Sequence, residues 1–314
     1  MSTKTPNSIT SITIITSPYH VGLHASPLHR SRVSEGPSFL LSTLLPALAK
    51  FNLPIHTIQL PPVADDFEGE IGRTFELLRR TARAVTSARN SGSFPIILAG
   101  NCCASVGVAA GLWASDELEG CGADAIGCVW FDAHDDYNIP DTVVSGYFDS
   151  QGIAMMGGEC WKALMETVPG HRAFDLSRVV HVGMRDVNEL ERERVEKSEM
   201  GVVWGGERVN FKSGLEREMG ERFEKGKNVL VHLDLDVLDP TVGKANAFAC
   251  SGGLSGVELV GCVAGIVAQT VPLAFTLASF DPFCDSEEEA QRIASVAAEA
   301  VVKVLQGLRE RELL

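Results

Sequence analysis

The chain has 314 residues, 45% hydrophobic, 22% charged and 7% aromatic, the make-up of a folded protein with ample core material and not of a disordered tail. Lys plus Arg number 27 against 41 Asp plus Glu, a net charge of −14, so the surface field opposes nucleic-acid phosphates and anionic membranes. Apolar runs fall short of the roughly 18 residues a membrane span needs, and the N-terminal stretch lacks a charged region followed by a long apolar one, which leads us to expect a cytoplasmic protein.

In chain order, short β-rich runs fall at residues 12–16, 56–60, 95–99, 125–131, 179–183, 201–204, 228–234 and 273–280. Most are near-continuously apolar, as strands buried on both faces are. Amphipathic stretches lie between them. Residues 69–88 carry Ile71, Phe75, Leu78 and Ala82 at helical spacing, and residues 287–308 carry Ile293, Val296, Ala300 and Val304. Strands alternating with helices predict one α/β domain over residues 1–314, with a mostly parallel eight-stranded sheet covered on both sides. The eight cysteines show no framework spacing and read as reduced thiols.

In such a sheet the ligand crevice lies beyond the carboxyl ends of the strands. Two segments there carry clustered acids. The first runs into Asp132, His134 and Asp136 at i, i+2 and i+4; the second ends in Asp234 and Asp236 before Asp239-Pro240. Period-two alternation would send each set to one side while the chain stays extended. Carboxylates converging at the end of a buried sheet repel one another unless a cation neutralises them, so the pattern points to one or two divalent metals. Asp oxygens suit hard cations, and a His nitrogen shifts the choice toward Mn²⁺, Zn²⁺ or Fe²⁺.

The strings Trp130-Phe-Asp-Ala-His-Asp-Asp-Tyr-Asn138 and His232-Leu-Asp-Leu-Asp-Val-Leu-Asp-Pro240 resemble the two most diagnostic motifs of the ureohydrolase family, which includes arginases, agmatinases and formimidoylglutamases. Ser34-Glu-Gly-Pro37, Pro95-Ile-Ile-Leu-Ala-Gly-Asn-Cys102, Val182-Gly-Met-Arg-Asp186 and Gly252-Gly-Leu254 match in order and spacing. The resemblance implies a three-layer α/β/α fold and two Mn²⁺ ions that activate water for attack on a guanidinium carbon. It further implies that Asp132 and Asp234 bridge the ions, that His134 and Asp236 complete one site, and that Asp136 serves the other. A homo-oligomer, commonly a trimer or hexamer, is the implied assembly.

Four departures stand against that pattern. Cys102 occupies the place of a metal-ligand His; thiolate is softer than imidazole, favours Zn²⁺ and leaves one site weak. It also resembles a branch acting on N-hydroxy-arginine. Asp149 replaces a His that shuttles protons, or else caps a helix starting near Ser150. Ser279 replaces the Glu that accepts guanidinium N–H groups, and a neutral hydroxyl cannot form that bidentate pair. Asn138 and Ser145 sit where the family binds a substrate carboxylate, and Asn188 replaces an Asp that helps bind the α-amino group.

His232 reads as a core residue or a partner behind the ligands, Trp130 as core, and His20, His24 and His29 as loop residues able to overhang the pocket. The reading that results is a metal-dependent hydrolase of a linear amidine or guanidine. The alternatives are a single-Zn²⁺ deacetylase-like amidohydrolase and a non-catalytic binding protein on the same fold.

Overall fold

A computed structural model describes residues 8–19, 31–61, 63, 69–122 and 124–314. Eight strands form one sheet, and each is one of the sequence-expected runs: β1 (Ser11–Ser17), β2 (Ile55–Gln59), β3 (Ser93–Ala99), β4 (Ile126–Phe131), β5 (Val179–Val182), β6 (Gly201–Val203), β7 (Lys227–Asp234) and β8 (Thr270–Ala278). Their order is β2-β1-β3-β8-β7-β4-β5-β6, and every pairing is parallel. Strands β1, β3, β4, β5, β7 and β8 are buried almost throughout. At the edge, β2 differs from expectation: Thr57, Ile58 and Gln59 are exposed because nothing pairs beyond it.

Parallel strands require crossovers, and the helices supply them. They are α1 (Gly36–Leu48), α2 (Gly69–Asn90), α3 (Ala104–Trp113), α4 (Gly152–Met156), α5 (Lys162–Met165), α6 (Glu189–Glu196), α7 (Phe211–Arg222), α8 (Gly256–Gln269) and α9 (Glu287–Glu310). The chain steps from β1 to β2 in one direction and from β2 to β3 in the other, so right-handed crossovers place α1 and α2 on opposite faces. Helices α7, α8, α9 and α1 then touch in series on one side, and α2, α3 and α4 on the other. Ser286 and Glu289 close a capping box on α9, whose Ile293, Ala297, Ala300, Val304 and Leu308 form its buried stripe. On α2 the stripe is Phe75, Leu78, Ala82 and Val85, whereas Ile71 is exposed one turn from the helix start.

Topology decides where chemistry can assemble. The four central neighbours β3, β8, β7 and β4 are those whose C-terminal ends carry Cys102, Ser279, Asp234 and Asp132, so four remote segments meet at one edge of the sheet. Two glycines permit the close approach. A Cβ on Gly100 would stand 2.1 Å from the Tyr19 carbonyl oxygen, and one on Gly36 would stand 2.1 Å from that of Phe280.

Candidate metal centre

Strand β4 stops at Phe131 and β7 at Asp234, so the acids are not delivered by extended alternation as expected. Turns deliver them. Asp234 caps a 3-10 turn over Leu235–Val237 and its Oδ1 accepts the Asp236 N–H at 2.8 Å. Asp132 Oδ1 likewise accepts the His134 N–H at 2.8 Å, and Asp136 lies in the left-handed region at φ 45°. In each motif the leading carboxylate folds the backbone that presents the next one. Arg185 fastens the second turn by donating to the carbonyls of Asp236 at 2.9 Å and Cys250 at 2.8 Å.

The result is a group of buried acids around one imidazole. His134 Nδ1 lies 3.3 Å from Asp132 Oδ1 and 3.4 Å from Asp236 Oδ2, and its Nε2 lies 3.6 Å from Asp186 Oδ2. Burial opposes charge on this ring, but Asp236 and the contacts to Asp132 and Asp186 outweigh it and raise its pKa well above the ordinary value. Asp236 shows the converse. Desolvation pushes it up, yet the His134 charge and the Asn246 amide hold it below the usual carboxylate range. Burial and mutual repulsion raise Asp132, Asp136 and Asp234. Protonated His134 thus stands in as the local cation.

The residues present fit a divalent ion. Asp136 Oδ2 is buried with no hydrogen-bond partner, a costly state for a polar atom and one a metal removes. Ligand atoms of Asp132, His134 and Asp236 lie within 4.8 Å of one another, as do those of Cys102, Asp132 and His232. The Cys102 thiol donates to Asp234 Oδ2 at 2.8 Å and sits 3.1 Å from Ser279 Oγ. Its burial and the nearby carboxylates raise its pKa well above the thiol's ordinary value, so a metal must displace a proton to bind there.

Above the acids opens a cavity of about 340 Å³ lined by every other expected site residue: Asn138, Ser145, Asp149, Asn188 and Ser279, with Cys102, His134, Asp136, Asp234 and Asp236 at its floor. Among the described residues no Lys or Arg lines it. Asp149 does not cap a helix beginning near Ser150. It lies inside a 3-10 turn over Phe148–Gln151, and its two oxygens accept the N–H groups of Cys102 at 2.9 Å and Cys103 at 2.8 Å, fixing the turn that leads into α3. Asn188 caps α6, accepting the Glu191 N–H at 3.0 Å. Ser279 occupies the left-handed region at φ 59°.

Sequence reasoning missed Asn246, whose amide joins Asp236 Oδ2 and the Ser279 carbonyl at 3.0 Å each. It also missed Glu191, which accepts from Asn138 Nδ2 at 3.0 Å, and Asp186 as a partner of His134. Asp186 had a signal, being the acid that ends the Val182–Asp186 string. His20, His24 and His29, expected over the pocket, lie outside the described residues.

Comparison with known proteins names the class. Residues 12–306 match the profile of the arginase family, and the chain belongs to that family. An arginase of Eremothecium gossypii is 26% identical over 72% of this chain and 59% of its own length, and one of Staphylococcus aureus is 28% identical over 55% of each. The match therefore spans somewhat more than half of these curated relatives. Among solved structures, arginase from Bacillus subtilis superposes with a TM-score of 0.78 at 23% identity, covering 94% of this chain and 98% of that one. Formimidoylglutamase from Bacillus subtilis does so at 0.67 and 17%, covering 98% and 90%. At these identities the superpositions establish the arginase-like α/β fold. No helix among the described residues is long and apolar enough to cross a membrane.

Proposed function

We propose that the protein is a metal-dependent hydrolase of a linear amidine or guanidine C–N bond, with an N-hydroxyguanidino amino acid such as N-hydroxy-arginine as the preferred substrate. The observation that carries this reading is the arrival of Cys102, His134, Asp136, Asp234 and Asp236 at the floor of one acidic cavity, with Asp132 buried directly against His134 and Cys102. Asp132 and Asp234 would bridge two ions, His134 and Asp236 complete one site, and Cys102 and Asp136 serve the other. Bound there, Mn²⁺, or Zn²⁺ where the thiolate takes part, supplies Lewis acidity and a nucleophile from water near neutral pH.

The cavity walls sort the substrate. Ser279 offers a neutral hydroxyl where a full guanidinium would demand a carboxylate, which suits the more weakly basic N-hydroxyguanidine. Asn138 and Ser145 are assigned to the substrate carboxylate. Asn188 lines the cavity beside Glu191 and Asp186, and we assign the ammonium end to these three, with the two carboxylates supplying the opposite charge. Asp149 is assigned proton transfer, which requires one of its oxygens to leave an N–H of the Cys102–Cys103 turn.

Urea or hydroxyurea release from arginine, agmatine and N-hydroxy-arginine by Mn²⁺-loaded protein tests the reading. We expect hydroxyurea from N-hydroxy-arginine as the fastest product; no release from any of the three would end it. The single-zinc alternative rests on Asp132, His134 and Asp234; the grouping of Asp132 and His134 with Asp236, while the Cys102 thiol donates to Asp234, favours a one-ion version with Asp236 in the third place, and one tight Zn²⁺ per chain with amide cleavage would select it. The family likeness also suggests a homo-oligomer, which sedimentation of the purified chain would check.

A further inference from the structure

The grouping of Cys102 and Asp132 includes a third residue, one outside the ligand set that the resemblance implies. His232 lies on β7 two residues before Asp234 and is wholly buried, on the same side of the strand as that carboxylate. Its ring stacks on Trp130 with centroids 3.7 Å apart, and Trp130 Nε1 donates to Asp132 Oδ2 at 3.1 Å. Ser105 Oγ, in the first turn of α3, holds His232 Nδ1 at 2.8 Å, whereas Nε2 is buried without a partner. One held nitrogen and one free nitrogen is the state of a metal-ligating histidine fixed by an outer partner. A ring nitrogen of His232, Cys102 Sγ and a carboxylate oxygen of Asp132 already lie within 4.8 Å of one another.

Reach explains why a second imidazole belongs there. Sγ stands one bond beyond Cβ, while a ring nitrogen of histidine stands further out, so an ion held by Cys102 at the usual zinc–sulfur length of about 2.3 Å sits closer to the sheet than one held by histidine. His232 rises from that sheet. The shorter side chain draws the ion toward the sheet and so toward the His232 ring.

On the metal-centre reading above, we propose that His232 is a ligand of the Cys102 metal site, making it a Cys–His–Asp site suited to Zn²⁺ or Co²⁺, distinct in ligand type from the oxygen-rich His134 site. Binding replaces the thiol proton, which leaves to solvent, with a metal–sulfur bond and engages the imidazole lone pair; no electrons change hands.

The test uses the full chain without substrate. Co²⁺ is titrated into chelator-stripped wild type, H232N and C102S, following the thiolate-to-cobalt absorption band and the affinity of each equivalent. The expected result is a band in wild type that is absent in C102S, with H232N losing more affinity for that equivalent than the roughly 10- to 100-fold that removal of an outer partner costs, while the other is unchanged. An unchanged band and affinity in H232N, or no band in wild type, would overturn it. Should H232N not fold, zinc X-ray absorption on wild type loaded with two ions decides: about one imidazole per zinc is expected, counting His134 and His232, and about one half contradicts it. Neither measurement depends on turnover, so hydrolysis without the His232 effect refutes this inference alone, and the effect without hydrolysis refutes only the activity.

Discussion

The turns after β4 and β7 and the turns after β3 and β8 meet at one cavity yet differ in kind. The first pair carries Asp132, His134, Asp136, Asp234 and Asp236, each leading acid folding the turn that presents its neighbour. The second pair carries Cys102 and Ser279, a thiol and a hydroxyl 3.1 Å apart, where the family pattern has an imidazole and a carboxylate. On the proposed function, the first half supplies most of the metal ligands, and the second, through Cys102 and Ser279, alters the identity of ion and substrate.

The largest expected effect breaks the first half. Asp234→Ala removes a carboxylate proposed to hold both ions, together with the cap of the turn that presents Asp236, and should lower turnover by about 10³-fold with a fall in metals bound per chain; unchanged metal content would separate Asp234 from the ions. Chelation comes next. Stripping the metal leaves buried acids opposed, among the described residues, chiefly by His134, and a ligand bound at hundreds of times its Kd contributes about 3 kcal/mol, so the melting temperature should fall by several degrees and recover on adding Mn²⁺. A melting curve indifferent to chelator would show that no resident ion stabilises the fold.

Ser279→Glu sharpens the second half by restoring a charged partner. The ratio of kcat/KM for arginine to that for N-hydroxy-arginine should rise about 10- to 100-fold, and no change would remove Ser279 from the specificity of the site. The smallest effect concerns His181, fully buried on β5 and depressed to about 3 chiefly by burial. The folded state refuses a proton that the unfolded chain takes up below pH about 6.5, so stability present above that pH is lost as acidity increases toward 3. His181→Leu should flatten this acid loss, by about 1–2 kcal/mol at pH 5, as read by denaturant midpoints at pH 7 and 5.

All eight strands were legible because seven are apolar runs flanked by turn residues, and β2, although exposed, keeps its β-rich Ile55–Gln59 string. The metal-ligand candidates were legible for a local reason: four acids and His134 fall in two segments. How they converge was not. Alternation suggested extended strands, but Asp132 and Asp234, by accepting the N–H two residues on, convert both into turns. Asn246 was invisible because its position depends on where the loop between Asp239 and Leu254 is carried once Arg185 and the Asp239 side chain tie it down. His232 looked like core from its neighbours in sequence; only the register of β7 against β4 sets it beside Trp130.

The most direct test of the central claim is hydroxyurea release from N-hydroxy-arginine by the same protein sample before chelation, after chelation and after Mn²⁺ is restored, with metals per chain measured at each stage. The account predicts turnover that disappears with the metal and returns with it. Turnover that survives complete removal of metal, or none in fully loaded protein, would contradict it.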